Sequence, residues 1–247
     1  MSTDDRSRTG GTLVSAPQQE APPAGVLDRG LFLLHLFTAE RNRMQLRELS
    51  DLSGLDKSTT LRALRSLAHW GFLERHSDGS YSPGPMNLRL AAIFKETSTL
   101  ISRVERPLNA VAEQVNQSAS FFIRAGDQRV CMSRCRKRAS HTNYVELGTS
   151  VPLDHGGSAA KILLAFTGGE ALGDVAVREN GYAASRGERL RHFTSISIPL
   201  FDSDQSFLGA ITISGLSTEI SDEDLHSFAA IAKKEFAQGG FDTGINK

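Results

Sequence analysis

The sequence predicts an α+β chain of two domains, and three observations carry that reading. Apolar residues recur at helical spacing in three short stretches between Val26 and Ala68, and an Asp78–Gly79 pair flanked by short apolar arms follows them. Beyond about residue 106, helical stretches alternate with strand-like runs and turn signals, which indicates a mainly antiparallel sheet with helices on it. The 247 residues are 39% hydrophobic, enough to bury a core without metals or a disulfide framework.

The elements of the N-terminal domain, placed at 25–85, follow in order. VLDRGLFLLHLF sets Val26, Leu27, Leu31, Leu34 and Phe37 at helical spacing. A second helix, LRELSDLSG, turns Leu46, Leu49 and Leu52 inward and stops at Gly54. A third, DKSTTLRALRSLAHWG, carries the stripe Leu61, Leu64, Leu67 and Ala68 and ends at Gly71. FLERHSDGSYSP reads as a hairpin turning at Asp78–Gly79. Three short helices followed by a hairpin make a winged helix-turn-helix. Residues 1–24, rich in Ser, Thr, Gly, Pro, Gln and Asp, read as a disordered tail in which Arg6 and Arg8 either graze a phosphate backbone or touch nothing.

A linker helix is expected over 86–105 and a second domain over 106–240. In that domain PLNAVAEQVNQ reads as helix, and ASFFIRAGDQRVCMSR as two strands about a Gly126–Asp127 turn. HGGSAAKILLAF opens a helix, and SISIPLFDSDQSFLGAITISG is the clearest hairpin in the chain. Ser221 suits the N-cap of a closing helix, with Asp224 three residues on.

Charge is balanced at 28 basic and 28 acidic residues, so a nucleic-acid partner would have to meet a local patch. Residues 57–75 form such a patch, with Lys57, Arg62, Arg65 and Arg75 against Glu74 alone. On the third helix the inward stripe leaves Lys57, Ser58, Thr59, Arg62 and Arg65 outside, the arrangement of a helix that enters a major groove. Ser58 and Thr59 stand where free backbone N–H groups favour phosphate. Arg75, His76 and Ser80 belong to the wing. An ordinary solvated helix face has the same composition, and both readings stand at this level. Arg129, Arg134, Arg136, Lys137 and Arg138 form a second basic stretch, either a solvated edge or an attractor for an anion.

Other classes lack support. No G-x-S-x-G elbow, P-loop, H-E-x-x-H or dinucleotide fingerprint occurs, so no enzyme is expected; no cofactor or metal site is read either. Cys131 and Cys135 are too few for a disulfide framework; on one strand they would share a face, roughly 13 Å apart. No signal peptide and no membrane span is read, which predicts a cytoplasmic protein with no membrane partner.

Taken in order, LRELSDLSGLDKSTTLRALRSLAHWGFLERHSDGSYSPGPMNLRLA, then GTSVPLDHGGSAAKILLAF, then NGYAASRGERLRHFTSISIPLFDSDQSFLGAITISG resemble the isocitrate-lyase-regulator (IclR) type of bacterial transcription regulator over residues 26–238. The resemblance implies a homodimer, or a tetramer on DNA, that binds double-stranded operator DNA through the winged helix-turn-helix, on which the residues' own spacing sets Lys57, Ser58, Thr59, Arg62, Arg65 and Arg75 outward. It implies a GAF-like α/β sensor domain that binds a small-molecule effector, a carboxylate or aromatic metabolite, and a repressor or activator of a catabolic operon. Carried over residue by residue, the effector site would use Ser158, Ala159, Ser185, Ser195, Thr212 and Ser214. Thr212 and Ser214 share a strand face on their own spacing, consistent with a lined cavity or with a water-facing side. The chain departs from the family pattern in the extra residue of Pro152-Leu153-Asp154-His155, in Ala160 and His192 where glycines are usual, and in Ser185 where some members are acidic.

Overall fold

The computed structural model describes residues 23–136, 145–168 and 172–244. The tail expected over 1–24, with Arg6 and Arg8, therefore lies outside the described residues except for Pro23 and Ala24. The chain divides into two compact units that meet in sequence at Ser98 and Thr99.

The N-terminal unit contains α1 (Val26–His35), α2 (Leu46–Ser53), α3 (Lys57–His69), the strands β1 (Leu73–Arg75) and β2 (Tyr81–Pro83), and α4 (Pro85–Thr97). Its core gathers Leu33, Leu49, Leu64, Leu73 and Tyr81, one or more from nearly every element. The α2–α3 turn is built by serines. Ser50 Oγ donates to the Leu55 carbonyl at 2.7 Å, and Ser53 Oγ accepts the Leu55 amide at 3.3 Å while Gly54 turns at φ +65°. These buried serines occupy the i+1 and i+4 positions beside Leu49, so Leu52, expected inside, is 45% exposed. A similar correction holds for α1, where Leu33 is buried and Val26, Leu27 and Leu31 are exposed. That helix is apolar on more than one side, and spacing alone does not choose which side meets α3. The linker expected as one helix over 86–105 is two. α4 ends at Ser98, whose ψ of 104° is extended, and α5 (Thr99–Val115) then runs straight through the boundary expected at 106. The run Thr97-Ser98-Thr99 joins weak helix formers, and Thr97 Oγ1 bonds back to the Ile93 carbonyl at 2.9 Å.

The C-terminal unit is a six-stranded antiparallel sheet in the order β5-β4-β3-β8-β7-β6. The strands are β3 (Ser118–Ala125), β4 (Gln128–Cys135), β5 (Ser150–Pro152), β6 (Ala183–Arg186), β7 (Phe193–Phe201) and β8 (Phe207–Leu216). Helices α5 and α8 (Asp222–Gln238) pack on one face through Val104, Leu108, Val111, Phe228 and Phe236, against Phe121, Ile196, Ile198, Ile211 and Ile213. On the other face lie α6 (Ser158–Thr167) and its neighbour α7 (Leu172–Asn180). α8 begins as its sequence requires, with Ser221 and Asp224 capping each other's backbone amides.

β4 contains a bulge. Phe121 pairs with Ser133 but Phe122 pairs with Cys131, leaving Met132 as the extra residue. One extra residue reverses which side chains face which way. Cys131 therefore packs with Phe122 and Ile162 below α6, while Cys135 joins the cluster beneath α5 and α8. The expectation that both cysteines share a face is overturned by this bulge.

Candidate functional site: a basic helix face and a hydroxyl-lined cavity

On α3, burial of Thr60 and Leu64 turns Lys57, Ser58, Arg62 and Arg65 to solvent and leaves Thr59 half-buried. Arg62 reaches only as far as Thr59 Oγ1, at 3.4 Å. The helix start differs from the expected open phosphate seat. Asp56 is the N-cap, and its Oδ1 accepts the Thr59 amide at 2.9 Å and the Ser58 hydroxyl at 2.6 Å. The Ser58 hydroxyl and then the Thr59 amide hold the Asp56 carboxyl well below the usual carboxylate range, so a negative charge stands where a phosphate was expected.

The wing is braced from within its unit. Asp78 Oδ1 accepts from the Ser80 amide and hydroxyl, and Asp78 Oδ2 accepts from Arg43 Nη2 at 2.9 Å. Arg43 Nε also donates to Ser80 Oγ at 2.6 Å. Ser80 is 3% exposed, so it holds the turn and does not face out as the sequence suggests. His76 is held against Ser82 at 2.8 Å, and Arg75 stands exposed on β1.

The C-terminal unit contains a cavity of about 80 Å³ between the sheet and the start of α6. Ser158, Ala159, Ser185, Ser195, Thr212 and Ser214, named from the resemblance, all line it. Four elements converge to bring them there: α6 supplies the first two, and β6, β7 and β8 the rest. The pairings Ser185 with Ser195 and Ser195 with Ser214 place these hydroxyls in one row across the sheet. Behind the lining, Ser197 donates to Ser158 Oγ at 2.8 Å and meets Thr212 Oγ1 at 2.8 Å; Ser158 and Ser195 hydroxyls lie 2.7 Å apart. This chain of hydroxyls fixes the rotamers around the cavity. The Thr212–Ser214 face is therefore a cavity wall and not a water-facing strand side.

Sequence reasoning missed Ser118 and Ser120 on β3, Ser197 on β7, and Arg189. A signal existed for the serines: Ser118-Ala119-Ser120, Ser195-Ile196-Ser197 and Thr212-Ile213-Ser214 repeat a hydroxyl at every second residue of three strands that prove adjacent. Nothing local pointed to Arg189.

The second basic stretch splits. Arg129 is 4% exposed and lines the cavity with Arg134, so the solvated-edge reading fails for both. Their separation of five residues would put them on opposite faces of a regular strand; the bulge at Met132 puts them on the same one. Arg129 donates to the Gly156 carbonyl at 2.6 Å, and burial, followed by repulsion from Arg189, lowers its pKa to about 10. Burial also lowers Arg134 and Arg189. Arg136 is exposed and pairs with Glu146, while Lys137 and Arg138 lie outside the described residues. Gly157, at φ +93°, is the N-cap of α6 and has no side chain to offer that helix start. Its amide donates to Glu188 Oε2 at 3.2 Å. Burial raises the Glu188 carboxyl, but hydrogen bonds from Lys161 and Gly157 outweigh it and leave that pKa lowered.

Among the described residues no group of His, Cys, Asp and Glu could hold a metal ion, and no helix is long and apolar enough to cross a membrane. Two family models match in order: the IclR helix-turn-helix domain over residues 26–77, and the bacterial transcriptional regulator IclR C-terminal domain over 174–238. The HTH-type transcriptional regulator KipR of Bacillus subtilis is 21% identical across 80% of this chain and 88% of its own length. An IclR family transcriptional regulator of Brucella abortus shares the fold at a TM-score of 0.76 and 20% identity, over 87% of this chain and 90% of that one. An IclR homologue from Microbacterium hydrocarbonoxydans, solved with 4-hydroxybenzoate, has a TM-score of 0.62 at 18% identity, over 87% of this chain and all of that one (100%). With one model on the winged helix-turn-helix and the other on the sheet domain, both in the expected order, the chain matches the IclR family of bacterial transcriptional regulators.

Proposed function

We propose that this regulator acts in the cytoplasm as a homodimer that represses a catabolic operon and answers to a small organic effector held in the C-terminal cavity. The observation that carries the reading is that cavity, a hydroxyl- and arginine-lined space in the six-stranded sheet domain, which we read as GAF-like and which is a unit distinct from the helix-turn-helix. Arg62 and Arg65, exposed and three residues apart on α3, would read bases or clamp phosphates, with Lys57, Ser58, Thr59 and Arg75 around them. Two such helices in a symmetric dimer call for a near-palindromic operator. The effector shifts the dimer between DNA-binding and released states only insofar as it binds one of them more tightly. Repression is favoured because it asks only that the bound protein obstruct a promoter.

Selection of purified protein on random duplexes, with and without pooled metabolites, tests this. A recurring near-palindrome, lost when metabolites are added, is the expected result. The Arg62→Ala/Arg65→Ala double variant should lose affinity for it at least about a hundredfold at constant salt, with folding unchanged. An unchanged affinity would sink the assignment of that face. A site enriched only in the presence of metabolites would point to activation.

A further inference from the structure

Resting on the reading of the cavity as the effector site, we propose that its ligand is a compact aliphatic dicarboxylate. Three guanidinium groups line the space, those of Arg129, Arg134 and Arg189, and no Asp or Glu lines it. The nearest acid, Glu188, is engaged by Lys161 and the Gly157 amide. What Arg129 meets is neutral: the Gly156 carbonyl at 2.6 Å and, at 6.0 Å, the Phe122 ring. Buried cations without counter-charge are costly, and an anion in the cavity removes that cost.

Two further atoms point into the same need. Ser118, 2% exposed, has a hydroxyl without a hydrogen-bond partner among the described residues, and so has the Nε of Arg134. Ser118 and Ser120 stand on β3 beside Arg134, since Ser120 and Arg134 are paired. At the other end, Arg129 lies against Gly157 at the start of α6, where a helix N-terminus adds partial positive charge; Gly157 has no side chain to cap it, and its amide donates to Glu188. The two arginines are five residues apart on β4, roughly 13–16 Å between Cα atoms at the usual rise. Guanidinium groups that enter one cavity from two points of a strand, with Arg189 as a third, suit a ligand carrying two carboxylates better than one compact group such as a phosphate. The serine and threonine hydroxyls of the lining offer hydrogen bonds to carboxylate oxygens, and Phe122, Leu190 and Phe193 offer apolar contact to the short aliphatic chain that joins them.

Calorimetric titration of the full-length protein tests this with succinate, malate and malonate, against butyrate, lactate and propionate as matched monoacids. Glycerol phosphate, 4-hydroxybenzoate and glycerol complete the set. A diacid should bind at least about tenfold more tightly than its matched monoacid. Arg134→Gln should weaken the diacid about tenfold or more, and Ser118→Ala by less, while the monoacid changes little; thermal melting checks that both variants fold. Arg136→Gln, on the exposed end of the same basic stretch, should change nothing. Equal binding of diacids and monoacids, preferential binding of the phosphate, or equal weakening by Arg134→Gln and Arg136→Gln would each overturn the proposal. Ala159→Trp, which fills the cavity, separates the two layers. If a monoacid or an aromatic acid binds the wild-type protein at least as tightly as any diacid and Ala159→Trp abolishes that binding, the effector site stands and the dicarboxylate falls; if diacids still bind to Ala159→Trp, the cavity is not their site.

Discussion

Gly157 illustrates how much a single backbone position carries here. At φ +93° and ψ 160° it lies where L side chains are strained, although an added Cβ would meet the Arg129 guanidinium at an ordinary 3.7 Å. Gly157→Ala should therefore cost about 1–3 kcal/mol through the backbone and not through crowding, a loss readable by urea denaturation. Ser158→Ala should cost a similar ~1–3 kcal/mol, because Ser197, fully buried, loses the acceptor of its hydroxyl. The carboxyls of Asp56 and Asp78 give the N-terminal unit a pH dependence of defined sign. Hydrogen bonds from Ser58 and from Ser80, respectively, lower both below the ordinary value of 3.8. The stabilisation they give is present above that value and is lost as pH falls toward the folded-state values. Acid unfolding followed by circular dichroism should shift to lower pH in an Asp56→Asn/Asp78→Asn variant, measured against that variant's own neutral stability. Asp56→Asn alone keeps a good cap but removes a charge beside the proposed DNA face, so its operator affinity should rise several-fold at low salt.

At the scale of elements, the bulge in β4 decides more than any regular strand. It turns Arg129 and Arg134 onto one face and sends Cys131 and Cys135 to opposite ones. Deleting Met132 removes the extra residue and leaves Ser133 opposite Phe121 and Cys131 opposite Phe122, so Arg129 and Arg134, then four apart, should stay on one face of a regular ladder. The expected result is a folded variant that keeps its anion binding, read by thermal melting and calorimetric titration. A deletion variant that folds but loses ligand affinity would show that the bulge itself, and not only the facing of the two arginines, shapes the site. The cap of α8 is an independent check on local physics: Ser221→Ala should cost about 1 kcal/mol with no effect on ligand binding.

For the whole molecule, two exposed apolar surfaces of the N-terminal unit call for a partner. Val26, Leu27 and Leu31 on α1 are 84%, 74% and 56% exposed, and α4 buries no residue while showing Leu88, Leu90, Ile93 and Phe94. Soluble monomers seldom leave such surfaces bare, and a two-fold dimer covers the same patch on both copies. Leu27→Asp or Ile93→Asp should reduce the mass seen by light scattering from dimer to monomer at micromolar concentration. Operator affinity should fall with it, since one half-site contact replaces two. A monomeric wild-type protein that still selects a palindrome would refute this.

Much of the molecule was legible in the sequence because it rests on local periodicity and turn chemistry. The Asp78–Gly79 and Gly126–Asp127 turns, the stripe of α3, the late hairpin and the Ser221 cap each express interactions among residues close in the chain. What escaped depends on which distant surfaces meet. Spacing could not say that Ser50 and Ser53 take the place of Leu52, that Asp56 occupies the head of α3, or that Ser98 breaks the linker. Nor could it bring Ser118, Ser158 and Arg189 to one cavity from three distant parts of the chain, because sheet order and a one-residue bulge set that meeting. The sequence by itself determined the helices, turns and hairpins that rest on neighbouring residues; the tertiary structure alone decided the short strands β5 and β6, the break at Ser98 and which polar side chains would be buried together, because these depend on the packing and register of segments far apart in the chain.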